Sequence, residues 1–369
     1  MPQSLYVFCD GLLRKLSEDY EVIGLSSPGE LLEKVAEREG VRTIAVPMER
    51  RISLWKDLKS LAELIKVFRK ERPTMVHSMT PKAGLLCMVA SWITRVPVRV
   101  HTFTGLVWPT AKGLQRKVLM MTDRLTCACA THIIPEGEGV KNDLISGKIT
   151  KKPLKVLGYG NVRGVDMNYY DRTPEVKEAA LELEDKSSFT FVFVGRIVKD
   201  KGIDELINAF VRLKSKKPNT RLILVGAYED SIDPVSPETR RAMEKNEEII
   251  AVGRKLDVRP YYVASDCFVF PSYREGFPNT VLEAGAMGLP SIVTDINGSR
   301  EIIEDGYNGL IVSSKDENAL YDAMLKMMED DSLRENMASV ARKRIEDRFE
   351  KTFVQRNLIE FYHQVMLSE

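Results

Sequence analysis

Histidine and cysteine are scarce in this chain, and neither is grouped. Four histidines are scattered along 369 residues with no cysteine cluster beside them, which excludes a tight zinc-type metal site. Five cysteines (Cys9, Cys87, Cys127, Cys129, Cys267) form an odd set without a Cys-x-x-Cys pair. That set fits a reducing compartment better than a disulfide framework. Cys127 and Cys129 stand in the apolar run Leu125–Ala130, which predicts buried thiols. Long hydrophobic runs are missing too. The most apolar stretch, Ala83 to Ile93, is far short of the roughly 20 residues that span a bilayer. The first residues carry no basic-then-apolar leader pattern. An intracellular chain without a membrane anchor is therefore expected, and the acceptor pattern Asn297-Gly298-Ser299 carries no weight as a glycosylation site.

An excess of either charge is also absent. Lys plus Arg number 54 and Asp plus Glu 53, for a net charge of +1. That balance argues against a dedicated nucleic-acid binder. The neutrality is not uniform. Residues 1–170 hold 26 Lys/Arg and 17 Asp/Glu, a net of +9, and the remainder holds 28 and 36, a net of −8. A basic first half draws phosphates, lipid head groups or other anions.

What is present is the balance of a globular protein, 44% apolar and 29% charged, at a length suited to two domains. Short β-branched runs alternate with helical periodicity. In the first half the runs are Glu21–Ser26, Val41–Met48, Met75–Ser78, Val98–Phe103, His132–Pro135 and Leu154–Gly158. In the second they are Phe189–Val194, Arg221–Val225, Ile249–Val252, Cys267–Pro271, Ser291–Thr294 and Leu310–Val312. Apolar strands alternating with helices predict an α/β fold of parallel sheets covered on both faces. Two successive sets predict two doubly wound, Rossmann-like domains, 1–167 and 168–350, joined around Asp166–Val176.

The opening segment breaks the pattern. Leu5, Phe8, Cys9, Leu12, Leu13 and Leu16 fall on one helical face, so the chain opens with a helix. A doubly wound domain opens with a strand that sits centrally in its sheet. The first strand and its glycine-bearing turn are therefore expected to be missing, upstream of the given start.

The second half carries the chemistry. Phe191-Val192-Phe193-Val194-Gly195-Arg196 reads as a buried strand ending in Gly and Arg, with Lys201-Gly202 five residues on. Ligands of open α/β sheets bind beyond the carboxyl ends of strands, where an Arg and a Lys can clamp a phosphate. Further on, Phe270 to Ala284 runs from a strand through Glu275-Gly276-Phe277-Pro278-Asn279-Thr280 into a helix holding Glu283. A helix N-terminus suits a diphosphate, and Gly276 permits close approach of the main chain.

These strings, with Ile296–Ile303 and Asp305–Leu310, resemble family 4 of the retaining glycosyltransferases, the group 1 glycosyl transferases. The resemblance covers nearly the whole chain and is densest over residues 190–312. It implies the GT-B architecture, two Rossmann-like domains facing across a cleft, with the segment 351–369 as a C-terminal helix completing the first domain. It assigns Arg196 and Lys201 to the donor diphosphate and Glu283 to the nucleotide ribose. Glu275 is placed beside the donor sugar, and Arg254 beside the base. Gly276, Phe277 and Asn279 would offer main-chain and side-chain contacts, with Thr280 completing the donor-binding set. Arg196, Lys201 and Glu275 are the catalytic candidates.

On the acceptor side, Val76–Leu85 resembles members that build bacterial surface polysaccharides, which often carry a second His where Met79 stands. Many also carry a His where Thr104 stands, before Gly105. His101 then either lines the cleft in its place or is a buried or strand-end histidine, with Thr104 and Gly105 beside it; His132 and His363 read as structural.

The resemblance implies a nucleoside diphosphate sugar, UDP-linked, as co-substrate and no metal or other cofactor. It implies a lipid-linked saccharide acceptor and peripheral contact with an anionic inner membrane from the cytoplasmic side. Two rival readings remain: a nucleotide-sugar 2-epimerase on the same architecture, and a non-catalytic relative that binds nucleotide or a partner protein. The Asp-x-Asp pair of the other major glycosyltransferase fold occurs nowhere in the chain. Gly158-Tyr159-Gly160-Asn161 with Gly164 misses the dinucleotide fingerprint by one residue and reads as the interdomain turn.

Overall fold

The computed structural model describes residues 2–49, 53–231 and 233–367. The chain divides into two compact units, one of residues 1–164 with 351–369, the other Val165–Glu350. The first opens with α1 (Pro2–Phe8) and α2 (Leu12–Leu16). It continues β1 (Ile23–Ser26), α3 (Glu30–Glu39), β2 (Arg42–Ala45), α4 (Leu54–Glu71), β3 (Met75–Met79), α5 (Pro81–Ile93), β4 (Val98–Phe103), α6 (Gly113–Cys129), β5 (His132–Pro135) and α7 (Glu138–Ser146). The second runs α8 (Pro174–Leu181), β6 (Phe189–Val194), α9 (Ile203–Lys216), β7 (Thr220–Val225), α10 (Pro237–Lys245), β8 (Ile249–Gly253), α11 (Arg259–Val263) and β9 (Cys267–Phe270). It ends with α12 (Asn279–Ala286), β10 (Ser291–Thr294), α13 (Ser299–Ile302), β11 (Gly309–Val312), α14 (Glu317–Glu329) and α15 (Asp331–Phe349). The final helix, α16 (Lys351–Met366), belongs to the first unit.

All strand pairs in the second unit are parallel, in the order β11-β10-β9-β6-β7-β8. The first strand of the unit, β6, is therefore central. Its continuous apolar sequence follows from that place, since a strand covered on both faces and both edges meets no water. Phe191, Val192 and Phe193 are fully buried, and α9 packs Leu206, Ile207, Phe210 and Leu213 into the same core. Each such side chain contributes about 1.5–3 kcal/mol, which fixes the strand ends where the loops begin.

The first unit departs from the single sheet expected. β1 pairs only with β2, and β3, β4 and β5 form a separate parallel sheet. No strand joins β1 to β3 among the described residues. Side-chain alternation along β4 divides the core. Val98 and Val100 face α2 and α16, whereas Phe103 joins the α4–α7 side.

Three expectations need correction. The opening helix is two helices, because Gly11 takes a left-handed φ of 74°. The buried Glu39 then accepts the Gly11 N–H at 2.9 Å and the Arg14 N–H at 3.2 Å, a carboxylate at a helix N-terminus. The segment Leu154–Gly158 makes only one bridge, Ile133 to Leu154, before the glycine-rich turn at 158–160 ends the pairing. The boundary lies at Gly164/Val165, three residues before the expected one. Val165 donates its N–H to Phe349 O at 2.8 Å and so joins the second unit.

Candidate active site

The carboxyl ends of β6 and β9 release two loops, and these loops are fastened together. Lys201 Nζ contacts Glu275 Oε1 in an ion pair, with side-chain exposures of 13% and 18%. The ammonium also lies 5.4 Å from the centre of the Phe270 ring, a cation–π position. Arg274 Nη2 reaches Asp200 Oδ2 at 3.1 Å. Asp200 O accepts the Tyr273 N–H at 2.9 Å. Ser272, fully buried, donates to Glu275 Oε1 at 3.1 Å. Glu275 thus has a fixed carboxylate, held by an ammonium and a hydroxyl.

Two glycines permit this approach. Gly202 has φ 71°, and a Cβ there would lie 2.1 Å from Pro271 O. Gly298, φ 74°, underlies the second loop, and a Cβ on it would lie 2.6 Å from Gly276 O and Phe277 Cα. Both contacts are with backbone, so a larger residue cannot be absorbed by turning a side chain.

Arg196 leaves the end of β6 and pairs with Glu229, Nη1 to Oε2, at 2.6 Å. Its side chain is 39% exposed, so an arriving anion has access to it. α12 begins at Asn279 with Pro278 at its cap and no side chain capping it. The first N–H groups of such a helix have no intrahelical acceptor, and Asn279 and Thr280 at this end are half-buried. Glu283, in the second turn, is a buried carboxylate at 6% exposure. Arg254 follows Gly253 on the loop after β8 and is exposed.

Phe277, expected with Gly276 and Asn279 to offer contacts to the donor sugar, has a buried ring. It is 5% exposed and its ring packs on Phe349 with centroids 5.4 Å apart. Only its main chain remains for a ligand. The residues that sequence spacing missed are Asp200, Ser272 and Gly298. Ser272 and Gly298 stood inside strings already singled out and Asp200 adjoined Lys201. Their partners lie elsewhere in the chain, so no local pattern marks them.

In the first unit, His101 is not available to a ligand. It is 1% exposed, its Nδ1 pairs with Ser78 Oγ at 2.9 Å, and its ring fills the space where Gly84 lacks a side chain. Strand alternation points it, with Phe103, at α5. Thr104 and Gly105, beyond the end of β4, are half-exposed. His77 is held between the Tyr362 hydroxyl and Thr102 Oγ1, the latter at 2.7 Å. Burial pushes the His77 imidazolium down to about 4 and His101 to about 3.

Both folded-state values lie below the unfolded value near 6.5, so the unfolded chain binds more protons as pH falls through 6.5. Stability is fully present above that pH and is lost as pH falls from 6.5 to about 4 for His77 and about 3 for His101. From pH 7 to pH 5 the two histidines together remove on the order of 3 kcal/mol. A urea midpoint unchanged between those pH values would show that neither ring is held neutral.

Residues 177–344 match the family described as glycosyl transferases group 1, and residues 11–160 the glycosyl transferase 4-like domain. The capsular polysaccharide biosynthesis glycosyltransferase CapM of Staphylococcus aureus is 34% identical over 352 residues, spanning 95% of this chain and 91% of that protein. The Escherichia coli UDP-Gal:alpha-D-GlcNAc-diphosphoundecaprenol alpha-1,3-galactosyltransferase is 29% identical, spanning 79% and 76%. Among solved structures, Anabaena HepE in complex with UDP superposes with a TM-score of 0.81 at 18% identity, over 99% of this chain and 97% of that one. WaaG, a glycosyltransferase involved in lipopolysaccharide biosynthesis, gives 0.70 at 16%, over 96% and 94%. These neighbours share the GT-B fold, with its two Rossmann-like domains. The chain belongs to the group 1 glycosyl transferases and is a glycosyltransferase.

Proposed function

We propose that this enzyme is a retaining glycosyltransferase of bacterial surface-polysaccharide synthesis. It moves a hexose or N-acetylhexosamine from a UDP-sugar to a lipid-diphosphate-linked saccharide. The observation that carries the reading is the pair of fastened loops after β6 and β9. They hold Arg196, Lys201 and Glu275 beside the open end of α12, with Glu283 buried one turn further in. The names of the Staphylococcus and Escherichia relatives support the capsular setting and the UDP-linked donor.

In this reading Arg196, Lys201 and the α12 N-terminus receive the diphosphate. Glu283 accepts the ribose hydroxyls, and Glu275 lies beside the sugar with the main chain of Gly276 to Thr280. Arg254 flanks the base. Transfer breaks the bond from the sugar anomeric carbon to the phosphate oxygen, and the negative charge that develops there meets cations already in place. The acceptor hydroxyl attacks the same face of the sugar, and its proton passes to the leaving phosphate. Configuration is retained without a protein nucleophile. The two cations supply the charge for which other glycosyltransferases use a metal, so the reading calls for none.

The acceptor side is the basic first unit. Helices α4 and α6 there expose Trp55 (85%), Leu54 (78%), Leu114 (77%) and Met121 (66%) beside Lys56, Lys59, Arg116 and Lys117. Apolar side chains rimmed by cations suit an anionic membrane surface, where a lipid-linked acceptor would be met from the cytoplasm. No helix among the described residues is long and apolar enough to cross a membrane.

Purified enzyme incubated with radiolabelled UDP-sugars, with and without lipid-linked acceptor, tests the reading. Transfer that requires acceptor supports it, turnover without acceptor indicates a 2-epimerase, and binding without turnover a non-catalytic relative. Replacement Glu283→Ala should weaken UDP binding by about 10- to 100-fold, the effect of losing charged hydrogen bonds. Unchanged affinity in a calorimetric titration would remove the ribose role.

A further inference from the structure

The carboxyl end of α12 carries more positive charge than a helix end needs. The last carbonyls of an α-helix have no donor within it. Here the chain closes the turn through Gly288, left-handed at φ 72°, so that Leu289 donates to Ala284 O at 3.0 Å and Gly288 to Gly285 O at 2.9 Å. Two carbonyls remain, and a guanidinium meets each. Arg342 Nη1 donates to Ala286 O at 2.5 Å, and Arg172 Nε to Met287 O at 2.8 Å. Arg342, on α15, is fixed further by Tyr170 O at 2.6 Å and Met167 O at 3.0 Å. Arg172 stands just ahead of α8. Asp171 Oδ1 lies 3.5 Å from Arg342, and Arg172 has no carboxylate partner among the described residues. Burial and then the Arg342 charge lower the basicity of Arg172, yet a guanidinium stays charged at neutral pH. Two like charges are thus held together against one carboxylate. Neutral donors or water would satisfy the same carbonyls, so hydrogen bonding alone does not account for the charge.

The charge has a use at the other end of the helix. With eight residues, α12 is about 12 Å long. Its dipole places partial negative charge at Met287 and partial positive charge at Asn279. Cations at the carboxyl end cancel the negative pole, and their own field reaches along the axis. Val281, Leu282, Ala284 and Ala286 are fully buried, so little water screens that field. The helix is also pinned in place. A Cβ on Gly285 would lie 2.8 Å from Ile345 of α15, so α12 lies close against the helix that carries Arg342. We propose that Arg172 and Arg342 are positioning residues for the donor diphosphate. They act through α12, holding its carboxyl end and raising the positive potential at its amino end. The proposal rests on the reading of that amino end as the diphosphate site, and both arginines lie a helix length away from it.

The test compares a ligand that carries the diphosphate with one that lacks it. Arg172→Gln keeps a donor for Met287 O and removes the charge. Its affinity for UDP in a calorimetric titration should fall about three- to fivefold, the effect of one charge at a helix pole. Its affinity for uridine, followed by NMR titration, should not change. Arg172→Lys restores the charge and should return UDP affinity to within about twofold of the wild type. Asp171→Asn, at an exposed side chain, makes the cluster more positive and should tighten UDP about twofold, again without effect on uridine. That variant reports on the charge even where Arg172→Gln does not fold. A purely structural role predicts that Arg172→Gln weakens UDP and uridine alike. That result would overturn the proposal, as would UDP affinity unchanged in both Arg172→Gln and Asp171→Asn. Wild type and Lys201→Met are titrated alongside. A wild type that binds UDP no tighter than uridine would end the diphosphate reading and this proposal with it. A preference for UDP that is lost in Lys201→Met but kept in full in Arg172→Gln would overturn this proposal alone.

Discussion

Replacing Lys201 by Met is expected to lower kcat/KM for glycosyl transfer by about 10³-fold while leaving the fold intact. The ammonium is mostly buried, faces the Phe270 ring and is paired with Glu275, so in the proposed reaction it is in place before charge develops on the leaving diphosphate. Removing one such prepositioned group costs on the order of 10²–10³ in rate. The variant also leaves Glu275 with Ser272 as its remaining side-chain partner, which unsettles the carboxylate assigned to the sugar. Glu275→Gln should therefore be costly alone, yet add little to Lys201→Met, because groups that act as a unit are not additive. Steady-state kinetics of the two single variants and the double variant decide it. Lys201→Met within tenfold of the wild type would end the phosphate role, and additive losses would separate the two residues.

Gly202→Ala should lower the melting temperature of the second unit by about 10 °C, and Gly288→Ala by about 3 °C. The two glycines have nearly the same backbone, φ 71° and 72°, so the left-handed conformation costs an alanine about 1 kcal/mol at each. They differ in surroundings. At Gly288 a Cβ meets nothing within 4 Å, but at Gly202 it lies 2.1 Å from Pro271 O. Moving that carbonyl means separating the loops that hold Lys201 and Glu275, with a further cost of about 2 kcal/mol of overpacking. UDP binding should fall with stability in Gly202→Ala and stay unchanged in Gly288→Ala. Equal melting temperatures would show that the two loops are not tightly fastened.

The order of strands and helices was legible in the sequence because it is written in local periodicity. Phe189–Val194, Val98–Phe103, His132–Pro135 and Ser291–Thr294 fall where the apolar runs placed them. Leu154–Gly158 does not, because an apolar run becomes a strand only where a neighbour continues to pair with it, and the turn at Gly158 ends that pairing. Lys201 and Glu275 were each legible as candidates, but their contact was not. They stand 74 residues apart and meet only because β6 and β9 are neighbours in a parallel sheet. His101 shows the converse, since the resemblance left it either lining the cleft or buried in its strand, and only its packing against Gly84 chooses the second.

The sequence by itself determined the class of fold and the family strings. Only the tertiary structure decided which loops touch and which rings are buried. The physical reason is range. Propensity and alternation act over a few residues, whereas a parallel sheet brings together strands separated by whole crossovers.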